Sequence, residues 1–449
     1  MRFYYDQCAR LAVLLLFITA ASTVAFAQDR NPVIIIPGIT GSELVNSKTD
    51  ETVWLSIARS KVDDIRLPVT ADPLKSRDDL VAGDILRSVK IGILPRTDVY
   101  QGLIDALVQQ GYHEETWKAP GADAAKASVF VFPYDWRLDN VQNAKLLVDR
   151  VESVKKKLKK PDLKFDIVAH SMGGLIARYA AMYGNADLPP AGRKAVPTWA
   201  GDKLFGKIVL LGTPNEGSPL TLESFINGET FGPFAINLPF VRNISRFDVF
   251  TMPAAYELLP APGTFKLMDP DMQEISVDLY DPKVWNKYGW DPIEDRKFDK
   301  TFTPAERKAA PIFFAKMLER AKLFHEALSA VSNTKPSVEF ALVGSECKET
   351  VSGAALSRSS KNGEWLTLFS VPDKKKKDGN THDANALRAA IYSPGDGIVS
   401  TASFTGSGQL SIAPASTKFF CEGHNRLAAN AEIQDYLIKL LTEKTKETT

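Results

Sequence analysis

The chain has 449 residues, of which 44% are hydrophobic and 24% are charged, and its formal net charge is +1. Such a composition is ordinary for a globular protein, and the length allows one large domain with insertions or two domains. The near-neutral charge excludes a strongly basic chain that binds nucleic acid and gives no reason to expect strongly acidic substrates.

The N-terminus has the pattern of a secretory signal peptide. Two arginines precede the apolar run of residues 11–18, and small residues follow it up to Ala25-Phe26-Ala27. The apolar run is too short to cross a bilayer, whereas the small residues fit a cleavage site. We therefore predict a signal peptide over residues 1–27, removed near Ala27 on export to the periplasm or the exterior, and a folded domain over residues 28–449. The alternative is an uncleaved helix that anchors the chain to a membrane.

Strand and helix patterns alternate along the rest of the chain. Short apolar runs typical of buried strands occupy residues 31–38, 128–132, 164–168, 206–211, 337–343 and 365–369. Apolar residues at helical spacing occupy residues 98–108, 140–160, 175–183 and 426–445. Asp98 is a candidate N-cap of the first helix. The alternation predicts an α/β fold with a mostly parallel sheet and helices on both faces, in which the first strand is buried on both sides.

Two long segments interrupt this alternation. Residues 42–97 have no clear period and are too long for a simple connection, so we predict a lid-like segment, with an irregular subdomain as the alternative. Residues 221–335 are rich in aromatic residues and proline, and only residues 311–331 have a clear helical pattern. We predict that this insertion is a cap over an apolar pocket; the alternative is a second core without a role in binding.

The stretch Ala169-His170-Ser171-Met172-Gly173-Gly174 lies where a predicted strand meets a predicted helix. Small residues at its first and fifth positions allow the two backbones to approach closely while the serine hydroxyl stays exposed on a strained turn. Strand, tight turn and helix are the context of a nucleophile elbow. We therefore predict that Ser171 is a nucleophile, with an ordinary strand-to-helix turn as the alternative.

A serine nucleophile needs a base, and the base works best when a carboxylate orients it. On sheets of this kind the partners follow in the chain order serine, acid, histidine. Among the five histidines, His424 alone comes late, just before the last predicted helix. The other four precede the serine, adjoin it with a side chain expected to point away, or fall in the cap and the lysine-rich loop: His113, His170, His325 and His382. We predict His424 as the base.

Asp396 is the predicted acid. It lies between Gly395 and Gly397, where the backbone can turn and direct the carboxylate towards an imidazole nitrogen. Other aspartates that precede His424 have surroundings typical of a mobile polar loop: Asp373, Asp378 and Asp383. An Asp-Gly turn without a catalytic role is the alternative for Asp396.

A tetrahedral intermediate needs backbone N–H donors for its oxyanion. We predict the amide of Met172, directly after the nucleophile, and the amide of Ile39, in the loop after the first strand. No histidine, cysteine or acidic cluster has the spacing of metal ligands, and no glycine-rich phosphate loop is present. The sequence therefore predicts neither a metal nor a cofactor.

Cysteines and lysine runs give two further expectations. Cys8 leaves with the predicted signal peptide, and Cys347 and Cys421 remain. In an exported chain these two can form a disulfide that ties down the loop before His424; two independent buried thiols are the alternative.

Lysine-rich runs at residues 155–160 and 374–377 are predicted to be a solvated helix end and a solvated loop.

Several short motifs resemble one enzyme family. In chain order they are Pro-Val-Ile-Ile-Ile-Pro-Gly at 32–38 with Gly41-Ser42, Pro-Tyr-Asp-Trp-Arg at 133–137, Ala-His-Ser-Met-Gly-Gly at 169–174, Gly-Thr-Pro at 212–214 and Gly-Asp-Gly at 395–397. Together they resemble the lecithin:cholesterol acyltransferase family, which includes lysosomal phospholipase A and phospholipid:diacylglycerol acyltransferases. The sequence departs from the family at Ile398, where many members carry threonine, and in its two-cysteine pattern.

The resemblance implies an α/β-hydrolase fold with a cap and a lid, and a catalytic triad of Ser171, Asp396 and His424. It also implies transfer of a fatty acyl group from a glycerolipid or phospholipid ester to an alcohol or to water. The expected partner is a lipid ester, at a membrane or the surface of a lipid particle, and no nucleic acid. The alternative is a catalytically silent module that binds a lipid or a protein partner.

Overall fold

The computed structural model describes residues 30–55, 64–90, 97–228, 244–372, 383–408 and 410–442. The predicted signal peptide and the lysine-rich loop at 374–377 lie outside these residues. The strands of the described chain are β1 (Val33–Ile36), β2 (Ser42–Asn46), β3 (Thr52–Trp54), β4 (Leu80–Ile85), β5 (Ser88–Val89), β6 (Thr97–Asp98), β7 (His113–Glu115), β8 (Ser128–Val131), β9 (Phe165–His170), β10 (Phe205–Leu211), β11 (Lys266–Met268), β12 (Glu274–Ile275), β13 (Glu339–Ser345), β14 (Lys348–Val351), β15 (Gly353–Arg358), β16 (Trp365–Leu368), β17 (Tyr392–Gly395) and β18 (Pro414–Phe420).

The α-helices of the described residues are α1 (Gln101–Gln109), α2 (Asn140–Leu158), α3 (Met172–Tyr183), α4 (Pro219–Asn227), α5 (Arg246–Phe250), α6 (Pro253–Tyr256), α7 (Pro282–Tyr288), α8 (Phe298–Thr301), α9 (Pro304–Ser329), α10 (Ala384–Ile391), α11 (Thr401–Thr405) and α12 (Ala431–Thr442). Short 3-10 turns occupy Pro73–Lys75, Pro292–Glu294, Gly406–Gly408 and His424–Arg426.

A seven-stranded sheet in the order β18-β13-β10-β9-β1-β8-β7 forms the centre of the protein. Every neighbouring pair in it is parallel. Along β1, Ile34 and Ile36 join the core beneath α2 and α3, whereas Val33 and Ile35 join the core beneath α1 and α12. Helices thus cover both faces, and β1 is buried on both sides, which confirms the predicted α/β fold class.

Two predicted helices differ from the structure at their starts. The helix predicted from Asp98 begins at Gln101, because Asp98 pairs with β5 and its Oδ1 accepts a hydrogen bond from the Gly102 amide at 3.0 Å. The helix predicted from residue 311 begins at Pro304, where Thr303 and Glu306 form a capping box. Pro311 lies inside that helix and does not end it.

The strand predicted over residues 365–369 forms outside the central sheet, and the prediction for the first lysine run is wrong in part. Residues 365–368 form β16, which pairs antiparallel with β15 in a separate four-stranded sheet. An apolar run shows that a strand forms but does not say which sheet it joins.

In the lysine run at the end of α2, Lys155 is buried and its Nζ donates to the carbonyl oxygen of Lys203 at 2.8 Å, so this part of the run is not solvated.

The described part of the predicted lid-like segment 42–97 packs against the rest of the protein. It forms the antiparallel sheet β3-β2-β4, and residues 56–63 and 91–96 lie outside the described chain. Its side chains that are buried in the main core include Leu44, Val53, Trp54, Ile65, Val69 and Leu80. Whether the segment moves as a lid stays a prediction.

Aromatic side chains of the predicted cap 221–335 pack mainly against one another. The ring centroids of Phe225 and Trp285 are 5.2 Å apart, and those of Trp285 and Phe314 are also 5.2 Å apart. These rings are buried and continuous with the main core. Most of the described aromatic residues of the segment therefore form core, and residues 229–243 lie outside the described chain. That the segment acts as a cap stays a prediction.

Asp166 is a buried carboxylate near the start of β9, and it gives a pH-dependent prediction. Its Oδ1 accepts hydrogen bonds from Asn31 Nδ2 at 3.0 Å and from the Lys207 amide at 2.9 Å. Burial raises the pKa of Asp166 from 3.8 to about 6. Because the folded state then binds the proton more tightly than the unfolded chain does, stability falls as the pH rises between these two values, and the penalty is complete above the folded pKa.

Asp166→Asn keeps both hydrogen bonds at Oδ1 and removes the charge. We expect the free energy of unfolding of this variant to exceed that of the wild type by about 1–3 kcal/mol at pH 8, with the difference shrinking as the pH falls towards the unfolded pKa. Urea unfolding at a series of pH values measures this difference. A gain that does not change with pH would contradict the assignment.

Candidate active site

Ser171 lies at the sharp turn between β9 and α3. Its backbone has φ 55° and ψ −127°, a strained conformation for a residue with a side chain. The turn needs glycines after it, because a Cβ on Gly173 would lie 2.5 Å from the Pro37 carbonyl oxygen and one on Gly174 would lie 1.9 Å from Thr213 Oγ1. The local sequence thus places the serine hydroxyl at the carboxyl edge of the sheet.

The structure brings the three predicted triad residues together. His424 Nε2 is 2.9 Å from Ser171 Oγ, and His424 Nδ1 is 2.6 Å from Asp396 Oδ2. All three side chains are buried. The backbone reinforces the pair, since the His424 amide donates to the Asp396 carbonyl oxygen at 2.9 Å. This arrangement can move a proton from the serine hydroxyl to the imidazole while the carboxylate stabilises the imidazolium.

The turn after β17 fixes the Asp396 carboxylate. Its Oδ1 accepts hydrogen bonds from the amides of Ile398 at 3.0 Å and Val399 at 2.7 Å, which leaves Oδ2 for His424. Gly397 has φ 96°, a conformation that favours glycine. The Gly-Asp-Gly sequence therefore serves both to turn the chain and to orient the acid.

The two amides predicted for the oxyanion come from elements that meet at Ser171. Met172 is the first residue of α3, so its amide has no acceptor within the helix. Ile39 lines the cleft beside Ser171. Gly38 approaches the serine so closely that a Cβ there would lie 2.8 Å from Ser171 Cβ.

Aromatic side chains hold the loop that carries Ile39. Tyr134 Oη donates to the Pro37 carbonyl oxygen at 2.9 Å, and Trp136 Nε1 donates to the Ser42 carbonyl oxygen at 3.1 Å. From the other side, Trp54 Nε1 donates to the Thr40 carbonyl oxygen at 2.9 Å. In the sequence the Pro-Tyr-Asp-Trp-Arg motif marked only a family resemblance; in the structure two of its residues position the loop.

Arg137 ends the same motif and anchors it to the described part of the 42–97 segment. Its guanidinium is fully buried and pairs with Asp135 at 2.8 Å and with Asp78 at 2.5 Å. It also donates to the carbonyl oxygen of Ile65 at 3.1 Å. The two carboxylates compensate the cost of burying the guanidinium.

His170 does not point away from the site, contrary to the prediction. Its Nδ1 lies 2.8 Å from Tyr100 Oη and its Nε2 lies 3.1 Å from the carbonyl oxygen of His424. Burial, together with charge on His424, lowers the pKa of His170 from 6.5 to about 3, so the ring is neutral. Tyr100 was not identified from the sequence, because it belongs to no motif.

Apart from His170, the described histidines and aspartates that were weighed against His424 and Asp396 lie away from Ser171. Asp383 is the N-cap of α10 and accepts from two amides there. His113 lies near Glu115, and His325 is buried in α9. Asp373, Asp378 and His382 lie outside the described residues.

An apolar cleft opens over Ser171, with a cavity volume of about 70 Å³. One wall comes from α4 and the predicted cap, and the other from the loops that carry Ile39, Asp396 and His424. Its lining side chains are mostly aliphatic or carry a hydroxyl group, and they include Val99, Leu220, Thr221, Ser224, Leu258 and Ile398. Such a cleft can hold the hydrocarbon part of an ester beside Ser171.

Cys347 and Cys421 form a disulfide. It joins the chain just after β13 to the chain just after β18, close to the turn that carries His424. Of the two alternatives, the structure therefore has the bridge and not two independent thiols.

Searches for metal sites and membrane spans cover the described residues only. Within them, no three histidine, cysteine or acidic side chains are grouped so that they could hold a metal ion. None of the helices in the same part of the chain combines the length and apolar character needed to cross a bilayer.

Comparisons with known proteins identify one matching family and two similar sequences. The sequence model of the family named lecithin:cholesterol acyltransferase matches residues 63–298, more than half of the chain. Phospholipase A(1) LCAT3 of Arabidopsis thaliana is 24% identical over 376 residues, which cover 77% of this chain and 71% of the plant protein. An uncharacterized protein of Saccharomyces cerevisiae is 24% identical over 277 residues, which cover 60% of this chain and only 35% of the yeast protein.

A solved structure shows the same fold. The crystal structure of the Tle4-Tli4 complex contains a chain that aligns with a TM-score of 0.53 at 16% identity, covering 92% of this chain and 98% of that chain. The parallel sheet, the helices on both its faces and the elbow at Ser171 are those of an α/β-hydrolase. With the family model matching over half of its length, the chain belongs to the lecithin:cholesterol acyltransferase family.

Proposed function

We propose that the protein is a serine-dependent lipid ester acyltransferase or hydrolase that works through an acyl-enzyme on Ser171. The observation that carries the proposal is the unbroken line of contacts from Ser171 Oγ to His424 Nε2 and from His424 Nδ1 to Asp396, at the base of an apolar cleft. A serine in this arrangement is activated for attack on an acyl carbonyl.

In the first half-reaction, Ser171 Oγ attacks the acyl carbonyl carbon and its proton moves to His424 Nε2. Asp396 stabilises the resulting imidazolium, and the amides of Ile39 and Met172 donate to the oxyanion. The bond from the carbonyl carbon to the alcohol oxygen then breaks, and His424 returns the proton to that oxygen. In the second half-reaction, His424 takes a proton from an alcohol or from water, whose oxygen attacks the carbonyl carbon of the ester on Ser171. The bond from that carbon to Ser171 Oγ then breaks, and His424 returns the proton to Oγ.

A glycerolipid or phospholipid acyl ester is the proposed donor. The aliphatic lining of the cleft suits an acyl chain, and family membership and the name of the plant relative support a lipid substrate. We further propose that the protein acts after export, at a membrane or lipid-particle surface, because of the signal-peptide pattern over residues 1–27.

A serine-directed fluorophosphonate probe tests the nucleophile. We expect the probe to modify Ser171 stoichiometrically and to abolish release of labelled fatty acid or formation of a new ester from a labelled phospholipid, assayed with and without a long-chain alcohol or sterol. Ser128→Ala is a matched control, since this buried serine begins β8 at the opposite edge of the sheet and donates to the Ala124 carbonyl oxygen. The Ser128→Ala variant should react with the probe to the same extent as the wild type.

Product analysis in the same assay separates the outcomes. Free acid would indicate water as acceptor, and a new ester would indicate the added alcohol. A folded protein that neither reacts with the probe nor forms either product would contradict the proposal and favour the catalytically silent binding module.

A further inference from the structure

Tyr100 and His170 lie between the loop that carries Ile39 and the turn that carries His424. Tyr100 Oη accepts a hydrogen bond from the Gly38 amide at 3.0 Å and lies 2.8 Å from His170 Nδ1. His170 Nε2 lies 3.1 Å from the His424 carbonyl oxygen. The contacts therefore run from the loop that carries Ile39, through two side chains, to the backbone of His424.

With His170 neutral, only one set of proton positions satisfies all these contacts. The His424 carbonyl oxygen can only accept, so His170 Nε2 must carry a proton and donate. In a neutral ring, Nδ1 is then an acceptor, so the Tyr100 hydroxyl donates to it. The tyrosine oxygen keeps a lone pair for the Gly38 amide. Burial favours the neutral ring that this scheme needs, since it lowers the pKa of His170 to about 3.

We propose that Tyr100 and His170 are positioning residues, which set the oxyanion loop and the His424 turn at a fixed separation from Ser171. The inference rests on the proposed function of the same site. Tyr100 occupies the Gly38 amide and so keeps it out of the oxyanion site, which leaves the amide of Ile39 as the donor from this loop. His170 holds the His424 backbone from one side while the Asp396 carbonyl oxygen holds its amide from the other.

A neutral His170 also suits the charge that develops on its neighbour. The ring centroids of His170 and His424 are 4.9 Å apart. When His424 takes the proton from Ser171, a second positive charge at this distance would oppose the transfer. The Tyr100 hydroxyl, by donating to Nδ1, occupies the position at which His170 would take up a proton.

Tyr100→Phe removes the hydroxyl and keeps the ring that lines the cleft. We expect kcat to fall at least about tenfold with KM unchanged, because the change breaks two buried hydrogen bonds, to the Gly38 amide and to His170 Nδ1. His170→Leu should cause a similar or larger loss, and His170→Gln, which retains an N–H donor towards the His424 carbonyl oxygen, should recover part of it. Because the Tyr100–His170 hydrogen bond is lost in both single variants, the double variant should lose less than the product of the single losses.

The rates should be measured on enzyme titrated with the fluorophosphonate probe, so that only folded sites are counted. Tyr112→Phe is the matched control, because Tyr112 is buried and its hydroxyl has no hydrogen-bond partner within the described chain. We expect wild-type kcat for it. Wild-type kcat in Tyr100→Phe, or losses that multiply in the double variant, would overturn the inference. Absence of turnover and labelling in the wild type would instead overturn the proposed function.

Discussion

Replacing Ser171 by alanine is expected to lower acyl-ester turnover by about 10⁶-fold, because no other described group stands at the position from which the acyl carbonyl would be attacked. The strained backbone at this residue, with φ 55°, is imposed by the elbow and is equally accessible to alanine. The free energy of unfolding should therefore change by less than about 1 kcal/mol. Steady-state assays of fatty acid release and thermal unfolding measure the two effects.

Ser128→Ala, measured in parallel, should retain wild-type turnover. Undiminished turnover in a folded Ser171→Ala protein would exclude the acyl-enzyme. An unfolded variant would be resolved by Ser171→Cys, which keeps a side chain able to contact His424 and should be inactivated by thiol reagents.

Replacing Asp396 by asparagine is expected to lower kcat by about 10⁴-fold without unfolding the protein. The amides of Ile398 and Val399 both need an acceptor, so the asparagine oxygen should take the place of Oδ1. Its NH₂ group then faces His424 Nδ1 and can only donate. This selects the tautomer with the proton on Nε2, which cannot accept the proton of Ser171. Steady-state kinetics measure the loss.

Asp269→Asn is the matched control for this change. Asp269 Oδ1 also accepts from two backbone amides, those of Asp271 and Gln273, on a surface turn. We expect that variant to retain wild-type kcat. If Asp396→Asn kept more than about a tenth of wild-type kcat, the carboxylate would not orient the base as proposed.

The sequence was sufficient to find Ser171, Asp396 and His424, whose side chains meet at the candidate site. Ser171 could be found because an elbow is a local pattern, and Asp396 and His424 because parallel α/β sheets bring them to the serine in a fixed chain order. Tyr100 could not be found in this way. Its contacts with Gly38 and His170 depend on how α1 packs beside β1 and β9, and neither contact is local in sequence.

The misplacement of His170 has a simple geometric cause. Ala169 faces the core beneath α2 and α3, whereas Val168 faces the core beneath α1 and α12. His170 follows this alternation and does leave the face of Ala169. The face it turns to is not empty at this edge of the sheet, because Tyr100 and the His424 turn cover it.

Composition was least informative for the long insertions. An excess of aromatic residues over 221–335 fits a roof over a pocket and fits a core equally well, since both bury rings. The small sheets also escaped prediction, because their strands, such as β3 (Thr52–Trp54) and β14 (Lys348–Val351), are short and lack clear alternation. Their partners are set by tertiary packing that no local pattern records.

The Cys347–Cys421 disulfide also has a consequence for the unfolded chain. The closed loop spans a sequence separation of 74 residues, contains Asp396, and ends close to His424. With the bond in place, the unfolded chain has fewer conformations open to it, so less conformational entropy is lost when the protein folds. Chains that fold in a reducing compartment lack this constraint and lose more conformational entropy on folding.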